Sequence, residues 1–121
     1  MQEGQQFAIL TDIITKAWTG KTTKEYKMLK GLKKENLRDN MTNTELILNM
    51  LAEASTKDIS AATNPATFEA SKKVAKQGGN VAKVALKELE AKTGKKVVTA
   101  INAKEAFKLS AKLTKKIPLQ K

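Results

Sequence analysis

Apolar residues in this chain recur at helical spacing, and no stretch alternates in the two-residue rhythm of a strand. Phe7, Leu10, Ile13, Ile14, Ala17 and Trp18 fall at intervals of one, three and four. That pattern marks one face of a helix over roughly residues 4–19, stopped by Gly20. Thr22 with Glu25 three residues on has the form of a capping box. It predicts a short helix carrying Tyr26, Met28 and Leu29 and ending near Gly31. A second short helix, with Leu37 inside it, is expected over roughly 33–40. Thr42 and Glu45 repeat the capping box and open a long amphipathic helix through Leu46, Ile47, Met50, Leu51 and Ala54, reaching Ile59. Residues 60–67 contain Asn64 and Pro65 and read as a loop.

Beyond the loop, Thr67 caps a helix with Phe68, Val74 and Ala75. Gly78-Gly79 interrupts the pattern, through a tight turn or a close helix contact. Val81, Ala82, Ala85, Leu86 and Leu89 resume it as far as Gly94. Val97-Val98 suits a very short extended piece, and Asn102 caps a last helix with Ala103, Ala106, Phe107 and Leu113. The expected fold is all-α, a single small domain over residues 1–121. It has five to seven helices, short loops and a basic tail over about 112–121. The Ile9–Trp18 and Leu46–Leu51 helices are the expected central pair.

A chain of 121 residues buries a modest core. Phe7, Trp18, Tyr26, Phe68 and Phe107 are all its aromatics, so the core must be mostly aliphatic. Trp18 and Tyr26, at helical spacing, are expected inside it, with base stacking as the alternative.

Enzymatic chemistry finds little material. There is no His and no Cys, so the common general base, the thiol nucleophile and the soft metal ligands are missing. Glu25-Tyr26-Lys27 has the E-x-K spacing of metal nucleases, but those sites need strands, and Glu25 already has a place in its capping box. Gly20-Lys21-Thr22 matches the end of a phosphate-binding loop, but Thr15 stands where that motif requires glycine. No catalytic residue, cofactor or metal site is expected. The N-terminus lacks the form of a signal peptide and the apolar runs are short, so a cytoplasmic, nucleoid-compatible protein without membrane contact is expected.

The net charge of +11 is unevenly spread. Residues 21–41 hold seven basic and three acidic side chains, residues 42–91 six of each, and residues 92–121 nine lysines against Glu105 alone. Two basic surfaces around a neutral middle suit nucleic acid or an acidic partner. The candidate contacts are Lys30, Lys33, Lys34 and Arg38 beside Gly31, and Lys104, Lys108, Lys112, Lys115 and Lys116 along the last helix. The same residues also fit a solvated surface, with Glu35 and Asp39 pairing locally. Gly78-Gly79 with Lys72, Lys73 and Lys76 has the alternative form of an anion nest.

The stretch GKTTKEYKMLKGLKKENLRDNMTNTELILNMLAEAST (20–56) resembles the C-terminal region of BRO-family phage antirepressors and, more distantly, of DNA damage-inducible protein D. FAILTDIITKAW (7–18) is similar to its entry, and VAKQGGNVAKVALKELEAKTGKKVVTAINA (74–103) to its continuation. Lys83 and Leu86 stand where the family pattern often has glycine and arginine. In that family a DNA-binding Bro-N domain precedes this region, so the resemblance implies a counterpart of the part that follows that domain. The resemblance implies a prophage setting and a non-enzymatic regulatory module that binds a protein, such as a phage repressor or a DNA-repair factor, or self-associates. Direct, largely non-specific nucleic-acid binding through the basic patches is the rival expectation.

Overall fold

The Thr22 and Thr42 capping boxes both form, and they fix where two of the helices begin. In each, the threonine hydroxyl accepts from the backbone N–H three residues on, while that residue's carboxylate accepts from the threonine N–H. In this computed structural model, which describes residues 3–102 and 104, the helices are α1 (Glu3–Thr19), α2 (Thr23–Leu29), α3 (Asn43–Thr63) and α4 (Phe68–Thr93). No strand occurs among the described residues. The all-α expectation holds for a small single domain, with four α-helices among the described residues where five to seven were expected over the whole chain.

Three differences account for the lower count. The segment expected as a helix over 33–40 is loop, with only a 3-10 turn at Arg38–Asn40. There the Glu35 carboxylate folds back to accept from the backbone N–H groups of Lys33 and Lys34, a local turn in place of the expected helix. Gly78-Gly79 does not interrupt anything, since α4 runs unbroken through both. The expected last helix falls almost wholly outside the described residues. In addition, α3 continues to Thr63, where Asn64 adopts a left-handed conformation that closes it.

The central element is α4, which packs along both α1 and α3, while those two touch each other far less. The expected α1–α3 centre is thereby corrected. The Gly78-Gly79 pair explains why. A Cβ on Gly78 would lie 2.6 Å from the backbone nitrogen of Thr56 in α3. One on Gly79 would lie 2.8 Å from the Ile14 carbonyl oxygen and would collide with the Ala17 Cβ in α1. Successive glycines thus let α4 approach a different helix on each side at the same level.

Around this crossing lie Trp18, Tyr26, Leu32, Leu37, Leu48, Ala52, Ala82 and Leu86. Trp18 and Tyr26 are buried, as expected, and meet edge to face at 6.3 Å. The Trp18 indole donates to the Asn49 side-chain oxygen at 3.3 Å.

The inner face of α3 differs from expectation. It buries Glu45, Leu48, Asn49 and Ala52, whereas Ile47 (63% exposed), Met50 and Leu51 look outward. Polar pairing rotates the helix: Glu45 is drawn to α2 and Asn49 to Trp18. Hydrophobic periodicity alone cannot anticipate those bonds.

Candidate functional site

Two kinds of surface carry functional potential. One is basic, built around a buried clamp; the other is apolar.

The clamp starts from Tyr26 and Lys30, one helical turn apart at the end of α2, facing Glu45 in the first turn of α3. The Lys30 ammonium is buried and donates to Glu45 Oε1 at 2.7 Å, to the Thr99 carbonyl at 3.0 Å and to the Ile101 carbonyl at 2.5 Å. All three of its protons are used. Glu45 Oε1 also closes its capping box by accepting from Thr42 N–H. Glu45 Oε2 accepts from the Tyr26 hydroxyl and from Thr99 N–H. Burial, then the Glu45 carboxylate, push the Tyr26 hydroxyl well above its usual pKa. Asn102 completes the clamp by donating to the Lys30 carbonyl at 3.0 Å.

This geometry corrects one expected contact. Lys30 is only 1% exposed, so it is unavailable to nucleic acid or an acidic partner. Its charge is spent on Glu45 and on the chain that follows α4. Arg38 is accessible but engaged: its guanidinium pairs with Glu53 Oε1 at 3.0 Å. Lys33 and Lys34 are exposed, as is Lys104. The Glu35 carboxyl beside them is held below its usual pKa, chiefly by the Lys33 backbone N–H and then by its own. Lys108, Lys112, Lys115 and Lys116 lie outside the described residues.

The clamp does what the sequence could not show. Residues 33–34 follow Lys30 by three and four positions, and Lys104 follows Asn102 by two. Clamping Asn102 and Ile101 onto Lys30 therefore ties the backbone just before Lys104 to the residue from which the 33–38 loop departs.

The apolar surface lies on the α3–α4 hairpin. At about 100° per residue, Ile47 and Leu51 stand about 160° round α3 from Asn49, which meets α1. Val81 and Val84 stand about 140–160° round α4 from Gly79, which also meets α1. All four are exposed, each pair lying well round its own helix from the residue that meets α1. Sequence reasoning assigned Ile47, Leu51 and Val81 to the interior.

Among the described residues, no helix is long and apolar enough to cross a membrane. Comparison with family models, with curated proteins and with solved structures finds no match to this chain.

Proposed function

We propose that this chain is a non-enzymatic interaction module that associates through the outer face of the α3–α4 hairpin. The observation that carries this is the exposure of Ile47, Leu51, Val81 and Val84 on the two helices of a packed hairpin. Several large apolar side chains exposed on neighbouring helices favour a protein-docking role. Self-association is the form the charge favours. Two chains of net charge +11 repel one another, but residues 42–91, which contain the hairpin, balance acid against base. Contact there leaves both basic stretches outside.

The resemblance to BRO-family antirepressors supports the same class of role: a regulatory segment that pairs with itself, or with a repressor or repair factor, in a prophage setting. Light scattering across a concentration series tests the proposal. The wild-type chain is expected to dimerise, and Ile47→Lys with Leu51→Lys to remain monomeric with unchanged helicity. A wild-type chain that stays monomeric at every concentration would rule out the self-associating form.

A second reading, nucleic-acid binding, is favoured by the exposure of Lys33, Lys34 and Lys104 and by the clamp that ties their two stretches of chain together at Lys30. Its test is duplex affinity of Lys33→Glu with Lys34→Glu at low salt. A loss of tenfold or more supports it, and an unchanged affinity removes that pair from consideration.

A further inference from the structure

A separate basic surface runs along the groove between α1 and α4. It is lined by Ile13, Lys16 and Ala17 from α1 and by Lys73, Lys76, Gln77, Asn80 and Lys83 from α4. Four ammonium groups therefore face one open groove with no carboxylate in its walls. Four other cations are neutralised by ion pairs: Lys30 with Glu45, Arg38 with Glu53, Lys72 with Glu69 and Lys92 with Glu88. None of the four groove lysines takes part in an ion pair among the described residues. Glu25 feels the Lys16 charge, but its carboxylate is held by Thr22 in the capping box.

We propose that this groove binds the phosphate backbone of double-stranded nucleic acid. It is independent of both the hairpin face and the Lys33–Lys34 pair. Three features select the ligand. Lys73 to Lys83 covers ten residues of α4, about 15 Å of helix, which one small anion cannot span. A duplex carries about one negative charge per 1.7 Å of its axis and matches such a row. The lining has no aromatic ring, so the groove itself lacks the stacking platform that single strands require. Gln77 and Asn80, between the lysines, offer amide donors to phosphate oxygens without adding charge. The Gly79 crossing holds Lys16 close across the groove from the α4 lysines, and like charges so placed are relieved by a bound polyanion.

The experiment uses the full chain and a fluorescent mixed-sequence duplex, with binding followed by anisotropy as salt is raised. Lys73→Glu with Lys76→Glu is compared with Lys24→Glu with Lys57→Glu, an equal change of charge at exposed sites outside the groove. The groove pair is expected to weaken binding tenfold or more. Its salt slope should fall by about 1.8, two phosphate contacts at about 0.9 each. The control pair is expected to change affinity less than threefold. Circular dichroism verifies folding, and Lys73→Gln with Lys76→Gln replaces the groove pair should it fail to fold. Equal losses for both pairs would show net charge alone at work and overturn the proposal. So would tighter binding of single-stranded oligothymidine or of polyglutamate than of the duplex. Dimerisation through Ile47 and Leu51 is read in a different assay, so either proposal can fail without the other.

Discussion

At the scale of single residues, Gly78 and Lys30 carry the sharpest consequences. In an ordinary helix, glycine to alanine gains about 1 kcal/mol from helix propensity. At Gly78 the added methyl would meet the Thr56 backbone, and overpacking of this kind costs about 1–3 kcal/mol or more. Urea denaturation of Gly78→Ala should therefore show a loss of about 2 kcal/mol, the opposite sign from propensity. Lys30→Met leaves the buried Glu45 carboxylate without its counter-charge and strips the Thr99 and Ile101 carbonyls of their donor. Removing one partner of a buried pair costs about 3–5 kcal/mol. Replacing Lys30 and Glu45 together by apolar residues should cost less than the two single changes added. Tyr26 gives a pH signature. Its folded pKa is raised above the unfolded value of 10.0, so its contribution is fully present below pH 10 and falls above it. The limiting slope is about 1.4 kcal/mol per pH unit. Fluorescence of the single Trp18 in alkaline denaturation should show this slope reduced in Tyr26→Phe.

At the scale of elements, what was legible in the sequence was what local chemistry decides. The capping boxes announced α2 and α3 because threonine and glutamate three apart satisfy each other's backbone whatever the rest of the chain does. Thr42→Ala should cost about 1 kcal/mol by loss of the cap. The effect should exceed that of Thr22→Ala, because the Thr42 box also orients Glu45 toward Lys30. Paired thermal melts would decide this. Less legible was the face each helix turns inward. The apolar pattern of α3 pointed to Ile47 and Leu51, but Asn49 and Glu45 face inward because their partners, Trp18 and Lys30, stand on other helices. The Gly78-Gly79 pair could be read as a break or as a close contact, and only the positions of Thr56 and Ala17 decide between them.

At the scale of the whole molecule, the sequence exposed the uneven charge but not its grouping. Lys30 sits in a run of cations and looked like one of them, yet a carboxylate from α3 claims it. Lys16 and Lys83 drew no attention because they lie 67 positions apart, and only the packing of α1 along α4 sets them in one groove. Net charge is a sum over the chain, whereas a binding surface depends on which cations the fold leaves unpaired.

The clamp also sets the boundary of the folding unit. Helical content among the principal elements ends at Thr93, so Gly94 looks like a natural place to shorten the chain. Lys30, however, bonds to a carbonyl 71 positions further on. A chain cut at Gly94 would retain every helix of the packed core and still bury an ammonium stripped of two of its three acceptors. Its thermal midpoint should fall well below that of a chain cut after Asn102, although the two differ by only eight residues, none of them in a helix. The cooperative unit is closed by a stretch without secondary structure, recognised through its peptide groups rather than its side chains.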